Sequence, residues 1–162
     1  MNDASQPDAD IAGPIVRPPL LFLGCLVLAV VLDRALPLWS APWQTAWAGW
    51  ATGGVLVVIG VAIFIASIRN FSSAGTPVPG NQPVRALVTT GIHGVSRNPI
   101  YVGMFLVYTG IGLAARSPWA LVLLLPIAIT LRYGVVAREE AYLERRFGDA
   151  YRAYKARVRR WL

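Results

Sequence analysis

From Trp47 to Ile68 the sequence carries no charged side chain, runs through VLVVIGVAIFIASI and stops at Arg69-Asn70. A helix needs about 20 apolar residues to cross the hydrocarbon core of a bilayer. Inside that core only helices and closed barrels satisfy every backbone polar group. Trp43, Trp47 and Trp50 gather at the start of the run, as in an aromatic belt at the membrane interface. One membrane-spanning helix, over about 47–68, is therefore the fixed point from which the rest is read.

Three further spans are expected on the same criterion. An apolar run from Leu20 to Leu32, closed by Asp33-Arg34, extends to a span of about 19–38. The third occupies 99–115 and the fourth 118–136, with Arg116-Ser117 making a tight hairpin between them. Pro126 is expected to bend the fourth span. Gly103 and Gly110, two turns apart on one face of the third, permit close backbone approach to a neighbouring helix. The fold class expected is all-α integral membrane, with about four transmembrane helices and a C-terminal amphipathic helix. Residues 1–18 read as a mobile polar tail and 19–162 as a single domain. Asp3, Asp8 and Asp10 have the wrong sign for a secretory signal.

Charge settles which function classes remain. The chain has 15 Lys+Arg against 8 Asp+Glu and a formal charge of +7. Most of the basic residues fall on the side holding the N-terminus, the loop 69–98 and the C-terminus, whereas Arg34 and Arg116 lie opposite. By the positive-inside rule both termini face the cytoplasm. The charge thus reports topology and gives no support to nucleic-acid binding. One Cys, Cys25, and one His, His93, exclude disulfides within the chain and any metal site built on several thiolates or imidazoles; no metal is expected.

The polar segments carry the candidate chemistry. The loop 69–98 is long and rich in Gly and Pro, which suits a shaped loop able to approach a ligand. It ends in Ser96-Arg97-Asn98-Pro99, where Asn98 as N-cap and Pro99 at the first helical position are sufficient structural reason for the dipeptide. Glu139 and Glu140 close the fourth span, either as solvated carboxylates or as site residues. Arg132, in apolar sequence and seven residues before Glu139, would share its face. Such an ionisable residue is a functional candidate unless it snorkels to the interface. A lone His93 reads as a loop hydrogen-bonder and Cys25 as packing. Beyond Arg138, Leu143, Phe147, Tyr151, Tyr154, Val158 and Trp161 recur at helical spacing opposite Arg145, Arg146, Arg152, Lys155 and Arg159. An amphipathic helix over 138–161, lying in the headgroup region or packed on the protein, fits this pattern, with a bend at Gly148.

The segments LVTTGIHGVSRNPIYVG, the double Glu and LERRFGDAYRAYKARVRRWL resemble the integral-membrane methyltransferases of the isoprenylcysteine carboxyl methyltransferase and phospholipid methyltransferase superfamily. The likeness covers roughly Ala74 to the C-terminus, with an LVT-x-G turn, an R-[HN]-P-x-Y-x-G helix start, the double Glu and an FG-x-x-Y-x-x-Y tail in the family's order. It implies S-adenosylmethionine as cofactor, held by Arg85, Ala86, Leu87, Val88, His93, Asn98, Pro99, Ile100, Tyr101 and Glu139. Arg132 and Glu140 are the catalytic candidates. Asn98 stands where the eukaryotic enzymes have histidine. Val135 stands where the carboxylate-methylating enzymes carry an arginine that orients the acceptor, and Arg132 and Arg138 are the nearest substitutes. A single lysine among the basic residues points to a GC-rich bacterial source. The implied partners are the lipid bilayer of an inner membrane and a lipid or small hydrophobic acceptor, with O-methylation of a carboxyl group, N- and S-methylation all open. A non-catalytic membrane scaffold or transporter subunit is the competing class; it accounts for the spans and the basic tail but leaves the loop, the SRNP start and the double Glu without a role.

Overall fold

A computed structural model describes residues 13–38, 46–80 and 82–162. The polar tail through residue 12 and Trp43 lie outside the described residues. Among the described residues, six α-helices occur in order: α1 (Pro18–Ala35), α2 (Ala46–Ser73), α3 (Pro99–Ala114), α4 (Pro118–Leu131), α5 (Ala137–Phe147) and α6 (Asp149–Arg157). A short 3₁₀ turn, Gly91–Gly94, precedes α3, and a π turn, Arg132–Val136, joins α4 to α5 without a break. Among the described residues, three helical stretches are long and apolar enough to cross a membrane: Pro18–Ala35, Trp47–Ser73 and Pro118–Phe147. α3, of 16 residues, is a shorter apolar helix. The protein is a multi-pass, all-α membrane protein.

Glycine seams hold α2 against α3. A Cβ on Gly60 would lie 2.7 Å from the Gly103 carbonyl oxygen, and one on Gly103 would lie 2.7 Å from that of Gly60. Two turns along, Gly53 and Gly110 face each other in the same way, the Gly110 position lying 2.6 Å from the Gly53 oxygen. The sequence spacing of Gly103 and Gly110 thus finds its match in an antiparallel pair on α2. Backbones this close gain dispersion contact where lipid offers no hydrophobic drive for association. The outer face of α2, with Val55, Val58, Val61 and Ile65 exposed, is left to lipid.

On the other side of α3, Phe22 and Ala29 of α1 pack with Tyr101, Tyr108, Ala120, Ile127, Leu131, Val135 and Val136. Phe22 sits edge-on to both Phe105 (5.2 Å) and Tyr108 (5.7 Å). The α3–α4 hairpin is closed by Arg116, which takes a positive φ of 52°, and by Ser117, whose hydroxyl caps α4 by accepting the Ala120 N–H at 3.0 Å. Pro126 lies inside α4, and the departure from α geometry comes at the π turn after it.

That π turn has two consequences. In a π turn a backbone N–H bonds five residues back, as Ala137 does to Arg132. The Gly134 carbonyl meanwhile accepts the N–H of Ile15 at 3.1 Å, and Arg138 reaches the Gly13 carbonyl at 3.2 Å. Residues 13–17, expected to belong to a mobile tail, are therefore a strap laid across the α4–α5 junction. The extra residue in the turn also rotates α5 relative to α4. Arg132 is exposed while Glu139 is buried, so the two do not share the face that regular α spacing predicts.

The C-terminal region also differs from one helix over 138–161. α5 continues the membrane-spanning stretch begun by α4, Gly148 (φ 52°) breaks it, and α6 ends at Arg157. Beyond it the chain is extended, because Arg159 pairs in a parallel bridge with Ser96, its carbonyl accepting the Arg97 N–H at 3.0 Å. Trp161 then returns to the bundle, edge-on to Phe105 at 6.3 Å.

Candidate functional site

The C-terminal strand fixes the start of α3. Asn98 caps nothing with its side chain; its amide donates to the Arg160 carbonyl at 2.9 Å, and its own N–H donates to the Ser96 hydroxyl at 3.1 Å. Arg160 closes a bidentate pair on Glu140, Nε to Oε1 at 2.8 Å and Nη2 to Oε2 at 2.7 Å. Arg97 meets the same carboxylate at 3.2 Å, with 8% of its own side chain and 9% of Glu140 exposed. Two guanidiniums on one buried carboxylate leave a net positive charge at this wall. Arg97 Nη1 lies 3.4 Å from the Tyr151 hydroxyl, and its Nε is buried with no hydrogen-bond partner among the described residues.

Glu139, the neighbour of Glu140 on α5, turns elsewhere. It accepts the Tyr101 hydroxyl at 2.7 Å, joining α5 to the first turn of α3. Successive helical residues point about 100° apart, so adjacent glutamates serve two different partners.

The loop supplies the opposite wall. Val84 donates its N–H to the Tyr142 hydroxyl at 3.0 Å, and Arg85 donates its own to the Thr76 hydroxyl at 2.8 Å. His93 is buried in the 3₁₀ turn, edge-on to Phe71 at 4.7 Å. The Asn70 amide donates to the Thr90 carbonyl at 2.8 Å and lies 3.3 Å from His93 Nδ1. An amide nitrogen only donates, so Nδ1 accepts and the ring proton sits on Nε2. Burial pushes the His93 pKa down to about 4, which keeps the ring neutral at neutral pH. The His93 carbonyl accepts the Tyr154 hydroxyl at 2.7 Å. Burial raises the Tyr151 and Tyr154 hydroxyls to about 12, so both stay protonated.

These walls enclose one pocket. Of the predicted site residues, Ala86, Leu87, Val88, His93, Asn98, Pro99, Ile100, Tyr101, Glu139 and Glu140 line it. Arg85 is exposed and enters the structure there through its backbone N–H. Arg132 lies elsewhere, its guanidinium 5.5 Å from the centre of the Tyr133 ring, beside Trp161 and Leu162. The pocket also takes in Phe71, Arg97, Tyr151 and Tyr154, which sequence reasoning did not place in it. The FG-x-x-Y-x-x-Y spacing was the available signal for the two tyrosines. Arg160, which locks Glu140, carried none.

Residues 48–150 match the phospholipid methyltransferase family. The chain belongs to the phospholipid methyltransferase family. The matched stretch contains the loop, the start of α3 and both glutamates. An uncharacterized protein of Haemophilus influenzae is 70% identical over 27 residues, which are 17% of this chain and 43% of that protein. The chain thus spans less than half the length of the curated relative it matches. No solved structure matches the chain.

Proposed function

We propose that this phospholipid methyltransferase family member transfers a methyl group from S-adenosylmethionine to a lipid-like acceptor at the cytoplasmic face of a bacterial inner membrane. The observation that carries the reading is the buried Arg97, with its unpaired Nε, on the same pocket wall as the start of α3 and the Tyr101–Glu139 pair. An orphaned guanidinium N–H in a buried wall fits a carboxylate, such as that of the cofactor's methionine part. Phe71, Val84, Leu87 and Val88 give an apolar surface suited to an adenine ring. Glu139 suits ribose hydroxyls or an ammonium group. The accessible space is about 50 Å³, less than a nucleoside needs. Binding therefore requires the pocket to widen.

When bound, the cofactor supplies an electrophilic sulfonium methyl, and the acceptor's lone pair forms the new bond as sulfur takes the old one and leaves as a thioether. Positioning and exclusion of water dominate such a displacement. Tyr101 holds the Glu139 carboxylate in place. Where the acceptor is an amine, that carboxylate is the base at hand for its proton. Glu140 acts as a positioning residue that keeps Arg97 and Arg160 in the wall. Arg132, on the outer surface, takes no part in this scheme. With no arginine at Val135, the group that orients the acceptor has to come from elsewhere in the fold.

The test is transfer of labelled methyl from S-adenosylmethionine to membrane lipid extracts by the purified protein. Label in a lipid fraction, lost in Glu139→Ala, supports the reading. No transfer to any extract together with no cofactor binding overturns it.

A further inference from the structure

Beside the site lies a second cleft, of about 520 Å³, that shares Val78, Pro79, Tyr101 and Glu139 with the first. Its far side is the strap and the start of α1: Pro14, Arg17, Pro18, Pro19 and Leu20. The volume lies within the range of small-molecule sites, about 300–1,000 Å³. The walls are mainly apolar, with two groups of opposite formal charge, Arg17 on one side and the Glu139 carboxylate on the other.

The strap and the start of α1 place the backbone of Arg17 at the edge of this cleft, with its side chain exposed. The Ile15–Gly134 and Arg138–Gly13 hydrogen bonds hold the strap against the π turn. Pro18 begins a membrane-spanning helix, so Arg17 stands at the interface, where lipid headgroups lie. Its side chain makes no capping bond to α1 and no ion pair among the described residues.

We propose that this second cleft is the acceptor site and that Arg17 binds an anionic group, a carboxylate or phosphate, in the headgroup of an amphiphilic acceptor. A guanidinium takes either group through two parallel hydrogen bonds. The apolar walls and the position at the interface call for a hydrocarbon tail on the same molecule. Glu139 and Tyr101 line both clefts, so an acceptor filling the second reaches the same pair that borders the pocket assigned to the cofactor. The inference rests on the proposed function for its catalytic meaning, whereas its binding claim stands on the cleft alone.

The experiment is calorimetric titration of the protein in phosphatidylcholine nanodiscs, with empty nanodiscs as reference. The probes are decanoate, decyl phosphate, decyltrimethylammonium and inorganic phosphate. Saturable binding of decanoate or decyl phosphate is expected, at least tenfold tighter than decyltrimethylammonium. Arg17→Gln should weaken it about tenfold, Arg17→Lys should restore most of it, and S-adenosylmethionine affinity should be the same in all three proteins. Equal binding of anionic and cationic amphiphiles, or no effect of Arg17→Gln, overturns the assignment. Inorganic phosphate binding as tightly as decyl phosphate overturns the amphiphile requirement. A protein that binds decanoate through Arg17 but no S-adenosylmethionine would sink the proposed function and leave the anion site standing.

Discussion

The Tyr101 hydroxyl donates to the Glu139 carboxylate at 2.7 Å, tying the first turn of α3 to α5 at the partition between the two clefts. Both residues are buried, with 7% and 6% of their surface exposed, so neither has water as a ready substitute for the other. The pair is at once a structural tie and the most central polar group of the site.

Removing the donor should be costly. Tyr101→Phe leaves a buried carboxylate short of a hydrogen bond, an effect of about 1.5–3 kcal/mol for a bond to a charged group. Thermal unfolding in detergent should show that loss. Glu139→Gln, which still accepts the hydroxyl, should lose less stability while impairing function. A double-mutant cycle on the pair should give a coupling of about 0.5–3 kcal/mol, and additive effects would contradict the contact.

Glu140 should behave differently from its neighbour. It is shared by Arg97 and Arg160 with most of its surface buried. Glu140→Ala strands a buried guanidinium, and breaking a buried pair in this way costs about 3–5 kcal/mol. Arg160→Ala should be milder, because its side chain is 30% exposed and Arg97 remains to pair with Glu140. Hydrogen exchange at residues 96–98 should rise in both variants, since the same C-terminal strand holds them.

The glycine seam offers a contrast within one helix. Gly60→Ala puts a methyl 2.7 Å from a backbone oxygen of α3 and must push the helices apart. Overpacking of this kind costs about 1–3 kcal/mol. Gly54→Ala, with nothing within 4 Å of the new methyl, should be neutral or slightly stabilising. Equal melting temperatures for the two variants would contradict the close packing of α2 on α3.

Acid stability should report His93. Its pKa of about 4 in the fold lies below the ordinary 6.5, so the unfolded chain takes up the proton first. Stability should therefore fall as pH drops through 6.5 toward 4 and lose no more to this group below that. His93→Phe keeps an aromatic ring against Phe71 and removes the titration. The fall in melting temperature between pH 7 and pH 4 should be smaller in that variant than in the parent chain.

Much of the fold is legible because it rests on local pattern. The charge-free run at 47–68 and the Arg116-Ser117 hairpin need no distant partner to be read. The motif singles out Asn98–Tyr101, Glu139 and residues 86–88, and these line the pocket. What escaped depends on contacts between residues far apart in sequence. Nothing local distinguishes Glu139 from Glu140; α3 claims one and the C-terminal strand the other. Seven-residue spacing placed Arg132 with Glu139, and the π turn between them breaks that register. Arg17 and Arg160 sit near the two ends of the described chain, and the strap and the Ser96–Arg159 bridge bring them to the site.

The most direct measurement is calorimetric titration of the detergent-purified protein with S-adenosylmethionine, alongside Glu139→Ala and Arg97→Gln checked for retained helical content. Saturable binding near one equivalent is expected, at least tenfold weaker in each folded variant. Absence of saturable binding, or affinity unchanged in both variants, would contradict the cofactor pocket at the start of α3.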